Sequence, residues 1–173
     1  MSLLTDKMKL DNKLLDIDFL PNRDLLYSGY SIKQNRQVLI LINYDNRTKR
    51  FDGFTVFRPK EITKYRFWTK AEIQKVKKDN RKEIGSLLKV DKMNTFYSCL
   101  KSLDKDTLVS FFTDNLTKEY YVAKITKLSR DSITLKLVDL NGKLTSTKTL
   151  RLADINYFSF MTKYEQKLIS NVT

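Results

Sequence analysis

The sequence predicts a mainly β protein with short helices, arranged as two tandem small β-barrels. Three observations support this fold class. Similar residues recur at a spacing of 93 positions, apolar residues alternate with period two in each half, and turn-forming residues separate the alternating segments. Short strands in such numbers usually curl into a small barrel. The predicted boundaries are 1–78 for a first helix-plus-barrel repeat, 79–93 for a basic linker and 94–173 for a second helix-plus-barrel repeat.

The repeat is clearest near the end of each half, where Glu61 to Glu72 overlies Asp154 to Glu165. Identical pairs at the same spacing include Leu10 and Leu103, Asp11 and Asp104, Leu15 and Leu108, Phe19 and Phe112, Asn22 and Asn115, Tyr27 and Tyr120, Ile32 and Ile125, and Arg58 and Arg151. All of these pairs share one spacing. We therefore expect the two halves to align in a single register, without insertion or deletion.

The first repeat opens with a short amphipathic helix, predicted around Leu3 to Leu10. The apolar run from Val38 to Ile42 is too short to cross a bilayer and predicts a buried strand. A turn follows at residues 43–47. The apolar residues of the later strands are Phe54, Val56, Ile62, Tyr65 and Phe67. A helical turn is predicted after Thr69, which is a suitable N-cap with Glu72 three residues on.

The second repeat has the same elements in the same order. A helix is predicted around Phe96 to Leu103, and Ile40, Ile42 and Tyr44 of the buried strand fall on Ile133, Leu135 and Leu137. An Asn-Gly pair within residues 139–142 predicts a hairpin turn. The later strands use Thr147, Thr149, Ile155, Phe158 and Phe160, and a final helical turn follows Thr162. Between the repeats, residues 77–92 predict a helix followed by a linker interrupted by Gly85.

The residue types present argue against an enzyme. The chain has no histidine, which removes the most common general base and metal ligand, and its one cysteine, Cys99, is expected to be a core thiol. No glycine-rich phosphate loop is present, so no cofactor is expected. The single cysteine and the lack of a signal peptide or apolar span favour a cytoplasmic protein without membrane insertion.

Two carboxylate pairs leave one catalytic alternative open. Asp16 and Asp18 have the spacing that puts two side chains on one face of a strand, and Asp104 and Asp106 have the same spacing. A divalent cation could bind such a pair, but a third acidic ligand is not close in sequence. Solvation at a helix end or strand edge is the simpler interpretation.

The strongest functional signal is a basic stripe between residues 58 and 92. This segment holds 12 basic and 5 acidic side chains, a net charge of +7 within a chain of net charge +13. Such a stripe can neutralise phosphates, and Tyr65, Phe67 and Trp68 interleave with it and could stack on bases. A solvated lysine-rich surface is the plainer alternative. The candidate nucleic-acid contacts are Arg58, Lys60, Lys64, Arg66, Lys75, Lys77, Lys78, Arg81, Lys82 and Arg151.

The segment from Gly53 to Ile62 resembles the second signature of Sm-like proteins, which are small barrels preceded by a helix. That signature runs from a glycine through a hydrophobic stretch to an arginine, usually a glycine, and then an isoleucine that leads the last strand. The arginine and isoleucine recur as Arg151 and Ile155. The resemblance implies two tandem Sm-like or SH3-like small barrels, ring assembly and single-stranded RNA as ligand, with Arg58 and Arg151 as the residues carried over.

These observations together predict a non-catalytic binding module for RNA or single-stranded DNA. In this hypothesis the basic stripe provides the binding surface, and affinity falls steeply with salt. The alternative is a protein-interaction or self-assembly module, a homo-oligomer included, because exposed strand edges can pair with another chain.

Overall fold

The computed structural model describes residues 10–19, 26–76, 79–113 and 120–170. The strands of the first half are β1 (Leu14–Phe19), β2 (Leu26–Gln34), β3 (Leu39–Asp45), β4 (Arg50–Phe57) and β5 (Ile62–Phe67). Those of the second half are β6 (Leu108–Thr113), β7 (Tyr120–Leu128), β8 (Ser132–Val138), β9 (Leu144–Arg151) and β10 (Ile155–Phe160). The helices are α1 (Lys70–Gln74), α2 (Arg81–Gly85), α3 (Phe96–Lys101) and α4 (Lys163–Ile169), with 3-10 turns at Pro59–Glu61, Val90–Lys92 and Leu152–Asp154.

The ten strands form one antiparallel sheet in the order β5-β1-β2-β3-β4-β10-β6-β7-β8-β9. The mainly β class with short helices is thereby confirmed, but the prediction of two barrels is wrong. The sheet is open, with β5 and β9 at its two ends. Neither half closes on itself because β10 of the second half takes the edge of β4 that β5 would need. With only 4 glycines, the chain is also poor in the residues that bend strands into tight barrels.

Each half uses the same strand order, with its fifth strand beside its first. The spacing is 94 residues through the first three strands, since the pair Leu15–Gly29 corresponds to Val109–Ala123. It is 93 residues from the fourth strand onward. The bulge between Ser31 and Lys33 recurs, at the same 94-residue spacing, between Ile125 and Lys127. The repeat is therefore present in three dimensions, although its register is interrupted.

The prediction of one unbroken register is wrong because the turn after the third strand is one residue shorter in the second half. Leu39 pairs with Phe57, and Ile133 pairs with Leu150. Leu39 and Leu41, and not Ile40 and Ile42, are therefore the counterparts of Ile133 and Leu135. The predicted Asn-Gly turn is confirmed, and Gly142 adopts a positive φ of 82° there. The helix predicted around Leu3 to Leu10 lies almost wholly outside the described residues.

The first half is buried on both faces of its central strands, which explains the continuous apolar run in the sequence. Leu39 and Leu41 pack in one apolar cluster with Leu15 and Ile17. Ile40 belongs to a larger cluster on the other face, which continues into the second half. Helix α3 and the segment before it cover this larger cluster; their buried side chains are Met93, Phe96, Cys99 and Leu100. Burial on both faces favours consecutive apolar residues over alternation.

The two halves are joined along β4 and β10, a pairing that we call the junction. Phe54 stacks on Phe160 with ring centroids 5.2 Å apart, and the hydroxyls of Thr55 and Ser159 are 2.7 Å apart. Gly53 has a positive φ of 59°, and a Cβ there would lie 2.5 Å from the amide nitrogen of Thr162. The junction therefore combines apolar stacking, a polar pair and a close backbone approach that only glycine permits.

The predicted helix starts after Thr69 and Thr162 are confirmed, each with a capping box. The segment expected to link the repeats contains the short helix α2, followed by the 3-10 turn at Val90–Lys92. Its side chains Ile84, Leu88 and Val90 pack partly buried against the larger apolar cluster. The segment predicted as a helix followed by a linker therefore packs in part against the sheet.

Candidate nucleic-acid interface

The basic residues of the stripe, between residues 58 and 92, fall into two groups in the structure. Lys60, Lys64, Lys75 and Lys82 are exposed, as a nucleic-acid contact requires. Lys60 lies 3.3 Å from the carboxylate of Glu61. Three arginines of the stripe instead hold parts of the fold together. Lys77 and Lys78 lie outside the described residues.

Arg66 is held by two carboxylates at the open end of the sheet. Its guanidinium makes an ion pair with the buried Asp16 and donates to both oxygens of Glu72, at 3.0 and 2.8 Å. The hydrogen bond with Arg66 is the main reason why the pKa of Glu72 falls to about 2. Asp16 also accepts from Ser28 and from the indole of Trp68, each at 2.7 Å. These partners explain Asp16 as a structural anchor rather than a cation ligand.

Arg81 fixes helix α2 to the sheet. It donates to Asp79 at 2.7 Å, and its guanidinium lies 4.7 Å from the ring centroid of Tyr30 and 5.6 Å from that of Phe51. The hydrogen bond from Arg81 is also the main cause that lowers the pKa of Asp79. A guanidinium so engaged with aromatic faces and a carboxylate serves packing first.

Arg58 bridges the two halves just beyond the junction. Its Nε donates to the carbonyl of Ile155 at 2.8 Å, and a terminal nitrogen donates to the carbonyl of Leu152 at 2.6 Å. Its guanidinium also lies 4.1 Å from the ring centroid of Phe96. Burial lowers the pKa of this guanidinium, which the charge of Glu61 partly offsets.

Arg151, the repeat counterpart of Arg58, is exposed to solvent. Its side chain is 79% exposed, and it makes a two-pronged contact with Asp154 at 2.9 and 2.8 Å. The hydrogen bond with Asp154 raises the pKa of Arg151. This surface position suits contact with a polyanion better than the half-buried position of Arg58.

Arg58 and Arg151 line the same cleft, of about 460 Å³, which we call the inter-repeat cleft. Its wall is formed by the β2–β3 and β7–β8 loops, the 3-10 turn at Leu152–Asp154 and the start of α3. The charged and aromatic side chains that line it are Arg58, Phe96, Tyr97, Arg130, Asp131 and Arg151. The cleft thus combines three cations and one carboxylate with aromatic rings, at the place where two repeats meet.

The sequence interpretation missed Arg130, which lies exposed in the β7–β8 loop. A signal for it was present: at the 94-residue spacing Arg36 coincides with Arg130, as Lys33 coincides with Lys127. The expected 93-residue register placed these loops one residue out of step and concealed both matches. The repeat therefore puts one arginine in each of the two corresponding loops.

The other candidate chemistry is not assembled in the structure. Cys99 is buried, and burial raises the pKa of its thiol to about 12, as a core cysteine requires. Asp106 pairs with Lys124 at 3.0 Å. Within the described residues, no three acidic or sulfur side chains come together as a metal site. None of the helices in the described part is long and apolar enough to cross a membrane.

Comparison with known proteins gives no match: no family model, no curated protein and no solved structure matches this chain.

Proposed function

We propose that this chain binds RNA or single-stranded DNA in the inter-repeat cleft, as a non-catalytic module. The observation that carries the proposal is the convergence of Arg58, Arg130 and Arg151 with Tyr97 on one cleft. Cations there attract backbone phosphates, and an aromatic side chain offers a surface on which an unpaired base can stack. Single strands fit this chemistry better than duplexes because their bases are free to leave the stack.

The geometry of the two signature segments supports an Sm-like relationship for each repeat. Gly53 lies in β4, Arg58 follows that strand, and Ile62 begins β5. In the second half, Arg151 ends β9 and Ile155 begins β10. A short helix, α3, precedes the strands of the second repeat, as the resemblance implies. The glycine that usually follows the arginine is replaced by Pro59 and Leu152, so we carry over only the arginines.

Within this proposal the exposed lysines of the stripe have a secondary, electrostatic role. Lys64, Lys75 and Lys82 add positive potential without converging on the cleft, and Arg58 is the one arginine of the stripe that lines it. We therefore expect the stripe to raise the rate and salt sensitivity of association rather than to define the site.

Fluorescence anisotropy with a labelled single-stranded RNA tests the site directly. The double variant Arg130→Glu and Arg151→Glu should lower affinity at least tenfold at low salt. Each lost phosphate contact should also reduce the slope of log affinity against log salt by about 0.7. A DNA single strand and an RNA duplex of the same length complete the comparison, and the duplex is expected to bind more weakly.

A matched double variant, Lys75→Glu and Lys82→Glu, removes the same charge from the stripe and leaves the cleft intact. We expect it to cost less affinity than the cleft variant. An equal or larger loss in the stripe variant would move the binding site to the stripe. A wild-type chain that binds neither nucleic acid at low salt would refute the proposal as a whole.

A protein-interaction module is the second candidate function. The observation in its favour is the pair of open sheet ends, β5 and β9, whose outer backbone groups could pair with an extended segment of another protein. Pull-down of a protein partner that is lost when Thr147 is replaced by proline, with nucleic-acid binding unchanged, would favour this alternative.

A further inference from the structure

We propose that the junction is an interface used once within the chain, and that the open ends β9 and β5 do not pair between copies. The repeat supplies the comparison on which this inference rests. At the 93-residue spacing of the last two strands, β9 is the counterpart of β4, and β5 is the counterpart of β10. A second copy placed head to tail would therefore set β9 against β5 as β4 is set against β10. Repetition of that step would give a ring or a filament.

The backbone geometry of the junction does not carry over to β9. Gly53 makes the close approach possible, since a Cβ there would lie 2.5 Å from Thr162 N, 2.6 Å from Met161 C and 2.7 Å from Phe160 O. Its counterpart in β9 is Ser146, which carries a Cβ. The three atoms that a Cβ at Gly53 would overlap all belong to the backbone, so rotation of a side chain cannot relieve the overlap. Ser146 is not among the residues with a positive φ, so β9 also lacks the backbone conformation that Gly53 adopts at the junction.

The side chains of the two open ends also differ from those of the junction. The hydrogen-bonded pair Thr55–Ser159 is replaced by Lys148 and Arg66, two cations that would face each other directly. Like charges directly opposite each other destabilise strand pairing. Lys148 already contacts the hydroxyl of Tyr121, and Arg66 is held by Asp16 and Glu72.

The apolar contribution is reduced as well. Phe54 and Val56 face Phe160 and Phe158 across the junction, whereas β9 offers Thr147 and Thr149 at those places. Asp52 accepts from the backbone N–H of Lys163 at 3.0 Å, at the start of α4. Its counterpart, Thr145, has no carboxylate to offer. Arg151 does retain the arginine of Arg58, so one element of the junction survives on the open end.

All of these differences disfavour the pairing of β9 with β5 of a second copy. Strand β9 carries a blocking Cβ, a lysine and two threonines where β4 has a glycine, a threonine, a phenylalanine and a valine. Strand β5 keeps aromatic residues, Tyr65 and Phe67, at the places of Phe158 and Phe160, but it has Arg66 at the place of Ser159. Charged and polar edges are a common device against edge-to-edge association. The second repeat thus supplies the only partner that the edge of β4 needs. We infer that the protein alone is a monomer, unlike the rings that the Sm resemblance implies.

Light scattering after size exclusion, on the protein alone at several concentrations, tests the inference. The wild type should have the mass of one chain at both low and high salt. A variant that copies the junction residues into β9, Ser146→Gly with Thr147→Phe, Lys148→Thr and Thr149→Val, should form species of two or more chains. That mass should increase with concentration.

Two further variants isolate the glycine. The same graft with Ser146 retained should stay closer to the mass of one chain, because the blocking Cβ remains. Gly53→Ser introduces at the junction the Cβ that Ser146 carries in β9, and it should lower the melting temperature clearly. This last measurement keeps the inference testable even where the graft does not fold.

A wild-type oligomer that dissociates when Thr147 is replaced by proline would overturn the inference. A folded graft variant that remains a single chain, or a Gly53→Ser variant as stable as the wild type, would do the same. None of these outcomes depends on nucleic-acid binding, so the proposed function stands or falls separately.

Discussion

Arg58 and Arg151 occupy the same place in the two repeats and have different tasks. Arg58 donates to two carbonyls of the other half and lies over Phe96, so its removal would take a charged donor away from both carbonyls. Arg151 meets one carboxylate of its own turn at the surface. The repeated arginine thus joins the halves in one place and remains available to a ligand in the other.

This difference gives a prediction at the residue scale. Arg58→Ala should lower the free energy of unfolding by about 2–4 kcal/mol, because two charged hydrogen bonds and a cation–π contact are lost. Arg151→Ala should leave it nearly unchanged, as expected for an exposed ion pair. Urea unfolding followed by fluorescence measures both. Equal losses for the two variants would contradict the assigned roles.

At the scale of elements, α1 and α4 begin with the same capping box, but the pKa of the capping-box glutamate shifts in opposite directions in the two helices. Glu72 is paired with Arg66, which lowers its pKa to about 2. Glu165 is buried and accepts from Ser110 and Thr162; burial is the main cause, and it raises the pKa of Glu165. The buried carboxylate lies on the helix in the second repeat and on β1, as Asp16, in the first.

The two glutamates should therefore have opposite effects on stability as pH changes. Because the pKa of Glu165 is higher in the folded protein than in the unfolded protein, its carboxylate ionises more readily once the protein unfolds. The free energy of unfolding of the wild type should therefore fall as pH rises from about 4.5 through the pKa of the folded state. Glu165→Gln should gain on the wild type over that range. Melting temperatures at several pH values measure the difference between the two proteins.

Glu72→Gln is the matched control for this prediction. The lowered pKa of Glu72 gives stability that is present above its ordinary value of 4.5 and is lost as pH falls toward 2. The variant should therefore fall behind the wild type as pH rises from 2 to 4.5. Slopes of the same sign for the two variants would contradict the assignment.

Much of the element pattern could be predicted from sequence, because alternation, capping residues and turn residues act locally. The starts of α1 and α4 and the Asn-Gly turn are examples. The register of the first three strands could not be predicted. The turn after the third strand is one residue shorter in the second half, and a residue missing from a surface turn does not disturb the apolar pattern of the strands. The burial of Val38 to Ile42 on both faces of the sheet also depends on α3, which is distant in sequence.

At the scale of the whole molecule, the open sheet follows from a competition between edges. Strand β4 can pair either with its own fifth strand or with that of the other repeat. Phe57 faces Tyr157 and Thr55 faces Ser159 on β10, whereas β5 offers the cations Lys64 and Arg66 at those two places. This long-range choice lies beyond local sequence patterns, which is why two closed barrels were expected.

The candidate site was predictable only in part for a related reason. Charge counting located a basic segment but could not tell which cations the fold would use. Arg66 and Arg81 are engaged by carboxylates, and Arg58 by carbonyls 94 and 97 residues away. The cleft itself assembles from loops of both repeats, so Arg130 comes to lie beside Arg58 only through the pairing of β4 with β10.

The two repeats form one continuous sheet through the junction. Native-state hydrogen exchange can show whether the two halves unfold together. We predict that the amides of Phe54 to Val56 and of Phe158 to Phe160 exchange only through global unfolding, with the same denaturant dependence as the slowest amides of β2 and β7. Exchange of β6 to β10 as a separate group, at a free energy distinct from that of β1 to β4, would contradict this prediction.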